Sequence, residues 1–328
     1  MKEMTPKHKT SIGGQALIEG IVMRGPKGAA VALRLPDKTI EVTEQEETRF
    51  ADKHHWAGIP MIRGIVGFIE SMKYGYKYLM YSADKAGYEE YDEDEEPGKI
   101  DKWIDEHLGD KAMTFISVIS FIFSFLIAFL LFVYLPTWLT DVFDANVTSG
   151  VLESHNLHPL MEGIIKIIVL ILYMWGISRT PDIHRVFQYH GAEHKTIFCY
   201  ENGLSLTVEN VKKQKRFHPR CGTSFIAVMV LIGILLSTVL VLIIPGIGQN
   251  RPLWIALKIL IVPLVMGLGY EFIKYAGRHD NGLVKVLSAP GLWMQRITTQ
   301  EPTDDIIEVG IAAFNAVKTD NPEDDAIK

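Results

Sequence analysis

Four stretches of the chain are apolar for long enough to cross a bilayer, which takes about 20 mostly apolar residues. The run 112–135 is free of charge between Lys111 and Pro136, and the run 221–250 is free of charge between Arg220 and Arg251. The run 159–178 holds only Glu162 and Lys166, spaced i,i+4 near its start, where they can pair or snorkel. The run 252–270 holds only Lys258. Soluble helices rarely lack charge for so long, so buried helices of a large core are a poor alternative for the first and third runs. The pattern changes elsewhere. Residues 57–83 have a helical period, with Ile59, Ile62, Val66, Ile69, Met72, Tyr76 and Met80 on one stripe and Arg63, Glu70, Lys73 and Lys77 largely off it. Too many charges interrupt this run for a span. It reads as an amphipathic helix that lies in the membrane interface or packs on the bundle, with a plain core helix as the competitor.

The β-prone runs ALIEGIVMRG, AAVALRLP and KTIEVT fall within residues 11–45, separated by turns at 25–28 and 36–37. The acidic block EEYDEDEEP at 89–97 repels itself and reads as a solvated linker. Two short helices follow the last span, the second capped near Thr303, and the closing NPEDDAIK reads as frayed. The expected fold is mainly α: a polytopic membrane helix bundle of about four transmembrane helices plus an interfacial helix, with a small N-terminal β-rich cytoplasmic unit. Its parts are the β-rich unit 1–55, the interfacial helix 56–84, the acidic linker 85–111, spans 112–178, a cytoplasmic loop 179–220, spans 221–272 and C-terminal cytoplasmic helices 273–328.

Composition sharpens this picture. The chain is 48% hydrophobic, and its net charge of −6 argues against a nucleic-acid partner. Its only two cysteines, Cys199 and Cys221, exclude a disulfide framework. The lysines of the N-terminus precede no apolar h-region, so no cleavable signal peptide is expected. Lys and Arg are absent from 136–158, number one in 245–252 and eight in 179–220. By the positive-inside rule, the central loop and both termini belong in the cytoplasm, in a multipass cell-membrane protein.

Chemistry concentrates in the central loop. HGAEHK, 190–195, lies on an amphipathic helix opened by Pro181. At about 100° per residue, His194 falls about 40° to one side of His190 and Glu193 about 60° to the other, all in the apolar sector. Two imidazoles at i,i+4 are a usual way for a helix to offer two nitrogens to one metal. H-x-x-E-H inverts the H-E-x-x-H zinc motif, with Glu193 as base. RFHPRCGTSF, 216–225, brings His218 and Cys221 with metal-loop spacing. Cys221 is readable as ligand, as nucleophile with His218 as base, or as an inert thiol; the ligand reading is favoured. Glu271, deep at the end of the fourth span, is a secondary ligand candidate that could equally pair with Lys274, Arg278 or Arg63.

The motifs GGQALIEGIVMRG at 13–25, IPMIRG at 59–64, HGAEHKTIFCYENG at 190–203, HPRCGTSF at 218–225 and APGLWMQRITTQEP at 289–302 together resemble DUF1385. That is a family of bacterial membrane proteins of unknown function labelled predicted metal-dependent enzymes. The resemblance implies a metal but no substrate class. Two functions remain open. One is a metal-dependent hydrolase acting on a membrane-associated peptide or lipid-linked substrate, with a divalent metal (zinc favoured) on His190 and His194, completed by His218, Cys221 or Glu271. The other is a scaffold or accessory factor for a membrane-protein partner, in which the cluster is structural. A transporter ranks third, and the oligomeric state is not legible.

Overall fold

A computed structural model of the chain describes residues 9–47, 50–87, 112–154, 156–244, 246–279, 281–319 and 321–327. The acidic block at 89–97 lies outside the described residues. The chain forms two units. One comprises Met1–Tyr88, Tyr173–Gly233 and Ile261–Lys328, the other Glu89–Leu172 and Ile234–Leu260.

The first unit contains a four-stranded antiparallel sheet, β1 (Gly13–Leu17), β2 (Gly20–Gly25), β3 (Gly28–Arg34) and β4 (Ile40–Gln45), in the order β1-β2-β3-β4. The run read as one strand, ALIEGIVMRG, is a hairpin: the chain reverses at Ile18–Glu19, where Glu19 takes a left-handed φ of 51°. Successive side chains of a strand point to opposite faces. Ile21, Met23, Ala30 and Ala32 accordingly join Tyr189, Ala192, Ile306 and Phe314 in one cluster. Leu17, Val22, Val31 and Leu33 join Tyr78 in the other. Both faces of β2 are thus covered, which explains its unbroken apolar run. Each buried Ile or Met here contributes on the order of 1.5–3 kcal/mol.

Helix Ile62–Lys85 buries Gly64, Gly75, Tyr78 and Ser82. Its apolar stripe points away from the sheet, leaving Ile69, Met72, Tyr76 and Met80 exposed. This is not the pattern of a core helix. At the other end of the chain, residues 321–327 of the NPEDDAIK run are pinned rather than frayed. Thr10 and Ala326 form a β-bridge, Ser11 N–H donates to the Asp325 carbonyl (2.6 Å), and Tyr200 Oη donates to buried Asp325 Oδ2 (2.6 Å). Asp325 has a partner that its acidic neighbourhood in the sequence does not announce.

Among the described residues, four helical segments are long and apolar enough to cross a membrane: Val118–Thr148, His158–Ile177, Phe225–Ile243 and Arg251–Arg278. The first runs past Pro136, where the sequence suggested an end. A π-turn at Leu130–Tyr134 precedes helix Leu135–Phe143, so the missing proline N–H is absorbed without a break.

Within the second unit, Lys258 Nζ donates to Glu162 Oε1 (2.8 Å) and Thr137 Oγ1 (2.6 Å), while Trp254 Nε1 donates to Glu162 Oε2 (3.4 Å). All four residues are buried. Nearby, Asp141 takes His158 Nε2 at 2.7 Å and Arg251 at 2.6 Å. These groups neutralise one another.

Candidate metal centre

Helix Pro181–Glu201 positions the site. Pro181 opens it, where a missing N–H costs nothing. Its buried face carries Tyr189, His190, Glu193, His194, Ile197 and Glu201. The hairpin holds its outer end, because the Arg185 guanidinium and Tyr189 Oη both bond the Glu19 carboxylate. Gly191 is dictated by contact: a Cβ there would lie 2.0 Å from the Gln300 carbonyl oxygen. Residues 298–300 can therefore run directly against the helix, with Gln300 N–H donating to the Phe187 carbonyl (2.8 Å).

That close approach fixes the first imidazole. His190 Nδ1 lies 2.8 Å from the Thr298 carbonyl oxygen, and His194 Nδ1 lies 2.5 Å from the Arg216 carbonyl oxygen. A carbonyl only accepts, so both rings carry their proton on Nδ1 and present a lone pair on Nε2. Such outer hydrogen bonds characteristically orient metal-binding histidines. His190 Nε2 sits 3.1 Å from Cys221 Sγ, and the ligand atoms of His190, His194 and Cys221 lie within 4.8 Å of one another. Ligands of one tetrahedral zinc sit roughly 3.3–3.6 Å apart, given bonds of about 2.0–2.3 Å. The three residues fit a soft divalent ion with small adjustments, and three protein ligands leave a fourth position open. Burial, then neighbouring His190, pushes the His194 pKa down to about 4, so this ring is neutral as a ligand must be.

Glu193 lies beside the trio. Its Oε1 accepts the Gly14 N–H at 2.9 Å. A Cβ on Gly14 would fall 2.5 Å from the Val22 carbonyl oxygen and 3.3 Å from the Glu193 carboxyl carbon, so the strand reaches this carboxylate only as glycine. Burial raises the Glu193 pKa to about 7, opposed by His190 and reinforced by Cys221. A carboxyl group so placed exchanges protons near neutrality.

His218 is close by, its ring centroid 5.5 Å from that of His194, but it belongs to a different set of partners. Gln295 clamps its backbone, accepting its N–H (2.7 Å) and donating to its carbonyl (2.8 Å). Its ring faces Glu201, 3.9 Å away, whose carboxylate also binds the Arg220 guanidinium and the Thr10 N–H. Burial lowers the His218 pKa, against the raising effect of Glu201. Glu271 is placed elsewhere: it pairs with the Arg63 guanidinium (Nε to Oε1, 2.7 Å) and accepts the Met61 N–H (3.1 Å). Among the sequence candidates, then, the structure gathers His190, His194 and Cys221 around a point, with Glu193 beside them. Glu201 was overlooked, although it falls on the same helical face as His190 and His194, seven residues beyond the latter. The trio opens onto a cavity of about 870 Å³, lined also by Glu193, His218, Arg220 and the backbone of Gly13 and Gly14.

A family described as "Protein of unknown function (DUF1385)" matches residues 59–320. The chain belongs to the DUF1385 family. It is also 34% identical over 316 residues to "Uncharacterized protein YqhQ" of Bacillus subtilis (strain 168), covering 94% of this chain and 93% of that one. No solved structure matches. Both the clamp on His218 and the His/His/Cys trio fall inside the DUF1385 match, whereas Gly14 lies before it.

Proposed function

We propose that this member of DUF1385 is a multipass membrane metalloenzyme whose centre faces the cytoplasm. It holds a divalent metal, zinc by donor set, on His190, His194 and Cys221. The reaction class is hydrolysis of a membrane-associated peptide or lipid-linked substrate. One observation carries the reading: two imidazoles with Nδ1 committed to backbone carbonyls turn their Nε2 atoms toward one thiol at the wall of a cavity. A divalent ion supplies Lewis acidity and makes water more acidic. Glu193 is the base. Gly14 N–H holds its Oε1, leaving Oε2 to take a proton and later return it to the leaving group. His218, Gln295 and Glu201 fix the turn that presents Cys221. The four apolar helices and the lysine- and arginine-rich loop 179–220 support placement in the membrane with that loop inside.

The test is Glu193→Gln. That variant keeps the metal and fails to complement a deletion in the host; full complementation would end the catalytic claim. A second reading has its own support, since Glu193 bridges the helix to β1 through Gly14. In that case the cluster is a staple in an accessory protein for other membrane machinery. Glu193→Gln is then mild, and His190→Ala lowers abundance instead.

A further inference from the structure

Helix Gly282–Thr298 sorts its residues by angle. At about 100° per residue, Val284, Ser288, Gly291, Met294, Gln295 and Thr298 fall within roughly 120° of arc. All six are buried. Leu283, Val286, Pro290 and Trp293 fall within a separate arc of about 80°. All four are exposed, Val286 at 70% and Leu283 at 59%. Lys285 and Arg296 are exposed along one border of this stripe. Single exposed apolar residues need no explanation, but an ordered row of four with cations at its edge does. The helix is not among the four segments apolar enough to cross a membrane.

The position of the helix in the chain says what covers the stripe. Segment Arg251–Arg278 is one of those four, and only residues 279–281 separate it from Gly282. The four steps from Arg278 to Gly282 reach at most about 14 Å, while the headgroup layer on each side of a bilayer is on the order of 6–8 Å thick. Glu271, Lys274 and Arg278 put the exit from the hydrocarbon in the last turns of that segment, so the chain begins this helix within or just beyond the headgroups. Leu and Val on one side, Trp near the far end and Lys and Arg at the border are what a helix lying in that layer needs. Helix Ile62–Lys85 repeats the design, with exposed Ile69, Met72 and Tyr76 beside Lys73 and Lys77.

The geometry points to Gly282–Thr298 as a membrane-surface helix, its outer stripe seated at the headgroup–acyl boundary and its inner face holding the metal centre. The inner face is where Thr298 accepts from His190 Nδ1 and Gln295 clamps His218. Lipid contact and the His/His/Cys trio are thus two sides of one rod, and the centre stands at a fixed height over the leaflet. This inference rests on the membrane placement proposed above, not on the reaction.

The test uses the full chain in phosphatidylcholine/phosphatidylglycerol vesicles, labelled with an environment-sensitive dye at one added cysteine. The sites are Val286→Cys, Trp293→Cys, Lys285→Cys and, on an apolar helix, Leu235→Cys, with the unmutated chain as blank for Cys199 and Cys221. Expected are blue-shifted emission at 286 and 293, quenching there by shallow lipid nitroxides and loss of iodide quenching, with 285 open to iodide. If 286 and 293 are quenched by iodide as strongly as 285 while 235 is lipid-protected, the surface helix is overturned and the membrane placement stands. If 235 is also iodide-accessible, the membrane placement itself falls.

Discussion

Two of the buried polar clusters, one in each unit, are built on opposite plans. Around Glu162, every charge has its complement: Lys258, Thr137 and Trp254 saturate the carboxylate and the ammonium between them. Around His190, the outer nitrogens are satisfied by carbonyls, and the inner face brings the two imidazole Nε2 atoms together with one thiol. A carboxylate with pKa raised to about 7 stands beside that face. The first cluster ties helices together through paired charges; the second could hold a metal ion.

The two clusters fail in different ways. Glu162→Ala strips the buried Lys258 ammonium of its carboxylate, and Lys258→Ala leaves Glu162 the longer contact with Lys166 at 3.9 Å. The first lowers stability by about 3–5 kcal/mol and the second by less, visible as early unfolding in detergent. The paired replacement Glu162→Leu with Lys258→Met recovers most of that loss; failure to recover would mean that the cluster does more than staple helices. Gly191→Ala drives a methyl into the Gln300 carbonyl and costs about 1–3 kcal/mol, with loss of the His190 geometry. His190→Ala strands the Thr298 carbonyl for about 1–3 kcal/mol, but its main effect is loss of metal. Glu271→Gln, in the partly exposed pair with Arg63, costs about 0.2–1 kcal/mol and leaves metal content unchanged. A Glu271 variant that lost the metal would show that the site reaches beyond the trio.

Much of this was legible because it rests on periodicity. The apolar helices, the amphipathic Ile62–Lys85 helix and the His190/His194 pair all follow from side-chain spacing. Cys221 was legible as chemistry, since thiols and imidazoles are few. The Ile18–Glu19 reversal was missed because β2 is apolar on both faces and Glu19 is an unusual residue at positive φ. The helix continues past Pro136 through a π-turn that no residue type encodes. The Thr298 and Arg216 carbonyls that set both imidazoles are backbone atoms without a sequence signature. Glu271 was open from its depth as a secondary ligand or as the partner of Lys274, Arg278 or Arg63, and only three-dimensional proximity selects Arg63.

Metal content of the detergent-purified protein tests the central claim most directly, with His190→Ala, Cys221→Ser and Glu271→Gln alongside wild type. About one equivalent of a transition metal is expected in wild type and Glu271→Gln, and none in the other two. A metal-free wild type, or a His190→Ala protein that keeps its full complement, would contradict that claim.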